Sequence, residues 1–125
     1  MFEGSKILKL TSDDFTYEDG KVRAKNPILQ GNDVIIMIFA GWCPHCMEKE
    51  DMMIYIAELY NNKLINEGLR IAVVDTEDVS TAKLTSALHV GPIPRFVFCG
   101  KDGLVHDMNA ELIYDILKVY NTSDE

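Results

Sequence analysis

The sequence is short of cysteine and has no long hydrophobic run. It contains three cysteines in 125 residues, whereas a small secreted domain stapled by disulfides typically carries about four, six or eight. The longest uninterrupted apolar run is residues 34–40, and a helix that crosses a bilayer needs about 20 apolar residues. These two shortages exclude a secreted disulfide scaffold and a membrane-spanning protein.

Basic residues are also scarce, with 12 Lys and Arg against 20 Asp and Glu, which gives a net charge of −8. Nucleic-acid backbones and anionic membrane surfaces are bound through clustered basic side chains, so we expect neither as a partner. Residues 1–6 lack the basic stretch followed by an apolar one that marks a secretory signal. The sequence therefore predicts a cytoplasmic protein.

What remains is the composition of a soluble globular protein, 47% hydrophobic and 26% charged. No repeat or low-complexity linker interrupts the chain, so we predict a single domain over residues 1–125. Residues 1–33 form a divergent N-terminal segment, in which Gly20, Pro27 and Gly31 predict loops and a small hairpin. Residues 34–120 carry the predicted core.

The core region alternates between β-branched apolar runs and segments with apolar residues at helical spacing. Residues 34–40 are typical of a central strand buried on both faces, and the apolar stripe of the long helix runs from Cys46 to Leu64. We predict strands at 7–10, 34–40, 69–74, 95–99 and 104–108, and helices at 44–66, 79–88 and 110–120. The predicted fold class is α/β, a mixed central sheet of about four to five strands flanked by helices on both faces.

Cys43 and Cys46 form a Cys-x-x-Cys pair whose position indicates its use. Cys43 follows the buried strand directly and opens the long helix, so its sulfur faces the free amide hydrogens at the positive end of the helix dipole. That position favours the thiolate, which is the nucleophile in disulfide exchange. Cys46 lies one turn further, on the buried stripe. We therefore expect Cys43 to be the attacking thiol, nearer the surface, and Cys46 the resolving thiol.

The two residues between the cysteines are expected to tune the pair. Pro44 suits the first helical turn and stiffens it. His45 lies beside Cys43 at the helix N-terminus, where its hydrogen bonding and partial positive charge would stabilise the thiolate. Stabilising the reduced form makes a disulfide a stronger oxidant.

A structural zinc site is the main alternative use of such a pair, but it needs four ligands. The sequence has no second Cys-x-x-Cys and no His pair, so we expect no metal. The one alternative is a metal ion or cluster that Cys43 and Cys46 would share between two subunits. His89 and His106 are expected to be structural or exposed. Cys99 lies in a predicted strand and is expected to be a buried, inert thiol.

Two motifs resemble those of a known family. Residues 39–46, Phe-Ala-Gly-Trp-Cys-Pro-His-Cys, resemble the active-site turn of thioredoxins and protein disulfide isomerases. Residues 90–94, Val-Gly-Pro-Ile-Pro, resemble the second hallmark of that family, a loop that packs against the redox pair and holds the substrate backbone. The resemblance covers about residues 34–120 and implies a thioredoxin fold.

The resemblance also implies roles for individual residues. Trp42 joins Pro44 and His45 as a residue that tunes the redox pair. The Ile93–Pro94 peptide bond is expected to be cis, and Ile93, Pro94 and Arg95 are expected to bind substrate. No cofactor beyond the redox-active disulfide is implied, so an external reductase or glutathione must recycle the enzyme.

Three departures from the family pattern bear on activity. Met37 stands where the family often keeps a buried acidic residue, and Val73 or Val74 replaces the lysine that partners it, so water or another group must deprotonate the resolving thiol. Arg95 follows the predicted cis proline, where the family commonly has threonine; its guanidinium would lie near the attacking thiol, meet acidic substrates or face solvent. Pro-His between the cysteines is typical of strongly oxidising relatives.

The predicted function is that of a thiol–disulfide oxidoreductase, more oxidising than ordinary thioredoxin, that exchanges disulfides with client proteins. We expect a monomer recycled by a reductase or an oxidase, and the sequence leaves open whether it reduces, oxidises or isomerises its clients. One alternative is a glutaredoxin-like enzyme that depends on glutathione. Another is a redox-weak module that binds peptides at the Pro94 loop.

Overall fold

A computed structural model describes residues 1–61 and 68–121 of the chain. The strands are β1 Leu8–Lys9, β2 Phe15–Glu18, β3 Lys21–Ala24, β4 Asp33–Phe39, β5 Leu69–Asp75, β6 Arg95–Cys99 and β7 Val105–Met108. The α-helices are α1 Pro44–Asn61, α2 Ala82–Ala87 and α3 Leu112–Asn121, and 3₁₀ turns cover Ser12–Asp14 and Val79–Thr81. None of these helices is long and apolar enough to cross a membrane.

β4 lies at the centre of a five-stranded mixed sheet with the order β1-β5-β4-β6-β7. It runs parallel to β5 and antiparallel to β6. Its odd-numbered residues 35–39 join a core with α1 and α3, and its even-numbered residues 34–38 join a second core with α2. Because both faces of the strand are buried, it is apolar from residue 34 onwards. The predicted α/β class, with helices on both faces of a mixed sheet, is confirmed.

The N-terminal segment contains the hairpin that its glycines predict. β2 and β3 are antiparallel and are joined by Asp19 and Gly20, which have positive φ angles of 53° and 73°. Two such residues make the turn whose twist suits a tight hairpin. Val22 and Ala24 join the α2 side core, and the Ala24 N–H donates to the Gly103 carbonyl at 2.8 Å. The hairpin therefore packs beside the β7 edge of the main sheet.

Two helices have bounds that differ from those predicted. The predicted end of α1, including Leu64, lies outside the described residues, and the described part ends at Asn61. The second predicted helix, residues 79–88, is an α-helix over six residues only. Its beginning is a 3₁₀ turn, which Asp78 caps by accepting the Ser80 N–H at 2.9 Å.

α3 begins two residues later than predicted, at Leu112. Residues 109–111 instead form turns, in which the Leu112 N–H donates to the Asn109 carbonyl at 3.0 Å. The helix buries Ile113 completely. Its Tyr120 hydroxyl donates to the Asp33 carboxylate at 2.5 Å, which fixes the end of α3 to the start of β4.

Candidate active site

The connection between β4 and α1 holds Cys43 directly before the helix. The Cys43 N–H donates to the Ala40 carbonyl at 3.1 Å. The Gly41 N–H donates to the Glu77 carboxylate at 2.9 Å, which ties the same turn to the segment that follows β5. The turn is thus fixed both from within and from the neighbouring connection.

The sulfur of Cys43 lies at the N-terminus of α1. It accepts the N–H of Cys46 at 3.2 Å, and the first amide hydrogens of a helix have no partner inside the helix. A hydrogen bond of this kind and the helix dipole both stabilise a thiolate. Cys43 is 3% exposed and Cys46 is fully buried. Cys43 is therefore the more accessible thiol, although it is far less exposed than the sequence predicts.

Cys46 has the environment of a thiol that stays protonated. Burial raises its pKa to about 11, with a further upward contribution from the hydrogen bond to Cys43. A thiol of high pKa is a poor free nucleophile near neutral pH. Cys46 therefore suits the second step of an exchange, in which its closeness to the first sulfur compensates for the small thiolate fraction.

The second predicted motif meets the redox pair at the Cys43 sulfur. The Ile93–Pro94 peptide bond is cis, and β6 begins directly after it. The Cys43 thiol donates to the Ile93 carbonyl oxygen at 3.7 Å, across 50 residues of sequence. The two motifs therefore form one site.

A groove beside this contact has a volume of about 390 Å³. It is lined by Trp42, which is 66% exposed, and by Val90, Gly91 and Ile93 of the loop. Hydroxyl side chains complete the lining at residues 76, 85 and 86. The groove is therefore lined by the residue that precedes Cys43 and by the residue whose carbonyl contacts the Cys43 thiol.

His45 is turned towards another partner than the sulfurs. Its Nδ1 atom lies 3.5 Å from the Glu48 carboxylate, one helical turn away, and both side chains are largely exposed. The influence of His45 on the Cys43 thiolate therefore stays a prediction from the sequence.

Arg95 forms contacts that the sequence does not predict. Its guanidinium donates to the Leu88 carbonyl at 2.6 Å and forms an ion pair with Asp107 on β7. The side chain is 23% exposed. Two neighbouring elements of the chain therefore engage its guanidinium, and the expectation that Arg95 lies near the attacking thiol or meets an acidic substrate stays a prediction.

Met37 is fully buried on the α1 side of β4. Its cross-strand neighbours are Val73 on β5 and Phe96 on β6, and it shares a core with both cysteines of the pair. The position that holds an acid in many thioredoxin relatives is therefore apolar here, and so is the strand position beside it.

Two contributors to the site could not be found from the sequence. Glu77 holds the Gly41 amide although 36 residues separate them, and an acidic residue in a polar connection gives no sign of such a bond. Phe2 is 1% exposed and packs edge-on against Phe39 with ring centroids 5.0 Å apart. Its N–H donates to the Glu50 carboxylate at 3.1 Å, so the N-terminal segment closes the core beside α1.

The remaining histidines do not join the site. His89 and His106 are both exposed, in agreement with the sequence interpretation. Within residues 1–61 and 68–121, no three His, Cys, Asp or Glu side chains come together in a group suited to a metal ion.

Cys99 is a buried thiol, as predicted. It is fully buried at the end of β6, and its thiol lies 3.4 Å from the Gly103 carbonyl oxygen, to which it donates. Burial, with a smaller contribution from the charge of Asp102, raises its pKa to about 11.

This thiol predicts a loss of stability in alkali. An unfolded cysteine ionises near pH 8.5, so between about pH 8.5 and 11 only the unfolded chain gives up this proton. The contribution of Cys99 to the free energy of unfolding is therefore intact below pH 8.5 and falls by roughly 3 kcal/mol by pH 11. Urea unfolding of the wild type and of Cys99→Ala across this range measures it. The difference in free energy of unfolding between the two proteins should become smaller as the pH rises, and a constant difference would contradict the prediction.

Comparison with known proteins supports the fold. No protein-family model matches the sequence, and no curated protein matches it significantly. Thioredoxin f from spinach chloroplast (short form) superposes with a TM-score of 0.59 and 16% identity, over 100% of this chain and 98% of its own. Thioredoxin f2 from Chlamydomonas reinhardtii gives a TM-score of 0.61 and 18% identity, over 94% and 95% of the two chains.

A third similar chain comes from a structural study of the thiol-resolving mechanism of yeast mitochondrial 1-Cys peroxiredoxin via glutathione and thioredoxin systems. It superposes with a TM-score of 0.62 and 19% identity, over 92% of this chain and 98% of its own. These similarities confirm that the chain has the thioredoxin fold.

Proposed function

We propose that this thioredoxin-fold chain is a thiol–disulfide oxidoreductase that exchanges disulfides with client proteins through Cys43 and Cys46. The observation that supports this most strongly is the position of the Cys43 sulfur. It lies at the helix N-terminus, 3.2 Å from the Cys46 amide nitrogen, and it also contacts the Ile93 carbonyl of the cis-proline loop. A thiol that served only packing would need neither contact.

In the reducing direction, the Cys43 thiolate attacks one sulfur of a client disulfide. A mixed disulfide forms, and the other client sulfur leaves as a thiolate that takes up a proton. Cys46 then loses its proton to water and attacks the Cys43 sulfur, which releases the second client thiolate and leaves a Cys43–Cys46 disulfide. The client gains two electrons and two protons, and an external dithiol reductase or glutathione restores the pair. The oxidising direction runs the same steps in reverse.

The groove beside Cys43 supports a polypeptide as the client. Its exposed Trp42 and its loop residues Val90, Gly91 and Ile93 offer an apolar face and backbone groups beside the Cys43 turn. Large aromatic surfaces of this kind contribute strongly to the binding of proteins.

We expect the Cys43–Cys46 couple to have a reduction potential above that of thioredoxin, which is about −270 mV. The physical reason is that His45 at the helix N-terminus stabilises the reduced, anionic form. Equilibration in glutathione redox buffers, with mass spectrometry to identify the paired cysteines, measures the potential. His45→Ala, at a largely exposed position, is the matched variant and should lower it.

Two outcomes would contradict parts of this proposal. If the reduction potential of the wild type is at or below that of thioredoxin, the proposal that the protein is more oxidising than thioredoxin is wrong, and only general dithiol exchange is left. If no Cys43–Cys46 disulfide forms at any glutathione ratio, the redox proposal fails.

A redox-weak peptide-binding module is the second candidate, and the apolar surroundings of Cys46 favour it. With Met37 in place of an acid and the pKa of Cys46 at about 11, resolution of a mixed disulfide near neutral pH would be slow if the closeness of the two sulfurs did not offset the small thiolate fraction. A double Cys43→Ser, Cys46→Ser variant that keeps its affinity for a client peptide, beside a wild type without turnover, would identify such a module. Turnover that requires glutathione in particular would instead identify a glutaredoxin-like enzyme.

A further inference from the structure

We propose that Arg95 is a positioning residue whose guanidinium clamps the loop between α2 and β6, so that Ile93 and Pro94 stay against Cys43. The inference rests on the proposed function, since the loop acts on catalysis only if Cys43 exchanges disulfides with a client. It gives Arg95 a role that acts through the loop and requires no contact with substrate.

One guanidinium joins three parts of the chain. Arg95 is the first residue of β6 and follows Pro94 directly. One of its terminal nitrogens donates to the carbonyl of Leu88, the residue that directly follows α2, at 2.6 Å. The other pairs with the Asp107 carboxylate on the neighbouring strand β7. The side chain therefore holds together the two ends of the loop and fastens both to the sheet edge.

The loop has few other hydrogen bonds. At its start, the N–H groups of His89 and Val90 donate to carbonyls of α2, both at 3.1 Å. Within the described residues, 1–61 and 68–121, residues 91–93 make a single hydrogen bond, which joins the Ile93 carbonyl to the Cys43 thiol. Ile93 also packs against both cores and Val90 against the α2 side core, so the backbone at residues 91–93 is held by this packing, by the Cys43 contact and by the two ends of the loop.

The chemistry of the clamp requires arginine. A guanidinium is planar and presents several donors in a fixed fork, so it can bind a carbonyl and a carboxylate in different directions at once. A lysine ammonium is a point charge without that geometry. Hydrogen bonds in which a partner is charged are also stronger than neutral ones.

Variants of the two partners in the Arg95–Asp107 ion pair distinguish a positional role of Arg95 from an electrostatic one. Arg95→Met makes the site more negative by one charge, and Asp107→Asn makes it more positive by one, yet both variants weaken the clamp. If Arg95 acted through its charge, the two variants would shift the Cys43–Cys46 reduction potential in opposite directions. If it acts by position, both variants impair the use of a large client in the same direction.

The experiment compares Arg95→Met, Arg95→Lys and Asp107→Asn with the wild type. Arg23→Met is the matched control, because Arg23 also donates to a backbone carbonyl beside β7, that of Asp102 at 2.7 Å, away from the loop. The readouts are kcat and KM for reduction of insulin, the rate with the small hydroxyethyl disulfide, the reduction potential, and hydrogen exchange of the His89 and Val90 amides, the hydrogen-bonded amides of the loop.

We expect kcat/KM for insulin to fall about tenfold in Arg95→Met, since small misplacements of a positioning group cost this much or more. The fall in kcat/KM should be smaller in Asp107→Asn, because that variant keeps the bond between Arg95 and Leu88. The value for Arg95→Lys should lie between those of Arg95→Met and the wild type. The rate with hydroxyethyl disulfide and the potential should change little, and loop amides should exchange faster in Arg95→Met and Asp107→Asn. Arg23→Met should match the wild type throughout.

Unchanged exchange of the loop amides in Arg95→Met, or opposite shifts of potential in the Met and Asn variants, would overturn the clamp. Asp107 is 78% exposed in its side chain, so Asp107→Asn decides the question if Arg95→Met fails to fold. If the wild type neither reduces insulin nor oxidises a reduced client protein, the proposed function fails by that result, and hydrogen exchange still decides whether Arg95 holds the loop.

Discussion

Cys43→Ser is expected to slow exchange with a protein disulfide by at least about a thousandfold, as the loss of a nucleophile does in other covalent enzymes. The hydroxyl that replaces the thiol is not ionised at neutral pH and cannot form a mixed disulfide. The Cys46 thiol cannot substitute for it, because it is fully buried and its pKa is raised to about 11. Stopped-flow reduction of insulin by the reduced protein measures the loss.

Cys46→Ser should have a different effect from Cys43→Ser. The first attack needs only Cys43, so its rate should stay within about tenfold of that of the wild type, while the mixed disulfide persists because nothing resolves it. Non-reducing electrophoresis and mass spectrometry should show a covalent complex of Cys46→Ser with the client and none with Cys43→Ser. Cys99→Ala is the control for a buried thiol outside the pair and should exchange normally.

The reverse pattern would overturn the assignment of roles. If Cys43→Ser trapped the client and Cys46→Ser did not, Cys46 would be the attacking thiol despite its burial. Substantial turnover in Cys43→Ser would place the chemistry elsewhere in the molecule.

The strands and the redox turn were predictable because local patterns determine them. A run such as residues 34–40 has both faces apolar only where both faces are buried, and β4 is such a strand. The hairpin followed from Gly20 within a polar stretch. The 3₁₀ turn before α2 was not predictable, because helical spacing does not distinguish a 3₁₀ first turn from an α-helical one.

The site shows the same division between local and distant causes. The Cys43–Cys46 pair and the loop at residues 93–94 were recognisable because each is a short motif. The partners of Arg95 were not, since Leu88 and Asp107 lie on elements whose relative placement no sequence pattern encodes. A single side chain that reaches across elements is settled by packing, and therefore only the structure reveals it.

Met37→Asp is expected to lower the free energy of unfolding by at least about 3 kcal/mol at pH 7, which is typical of an unpaired charge placed in a core. Met37 is fully buried, and its cross-strand neighbours Val73 and Phe96 offer no cation or hydrogen-bond donor from their side chains. Urea unfolding measures the loss. Met37→Leu, a volume-conserving change, should cost less than about 1.5 kcal/mol.

The pH dependence of this loss distinguishes charge from polarity. Burial would raise the pKa of the new carboxyl above its unfolded value of about 3.9. The unfolded chain then releases the proton first as the pH rises, so Met37→Asp should lose stability between about pH 4 and pH 7. Met37→Asn places a polar group of similar size there without a titrating proton, and its deficit should not follow the same course.

The result bears on how Cys46 is deprotonated. If Met37→Asp is as stable at pH 7 as Met37→Asn, the carboxylate has found water or a cation, and this core can hold the buried acid that many thioredoxin relatives use. If it is destabilised as expected, the apolar neighbourhood of Met37 on β4, β5 and β6 excludes such an acid. A carboxylate at position 37 would then also require a cation in place of Val73. Resolution of the mixed disulfide would then depend on water, and its rate should rise with pH towards the pKa of Cys46 at about 11.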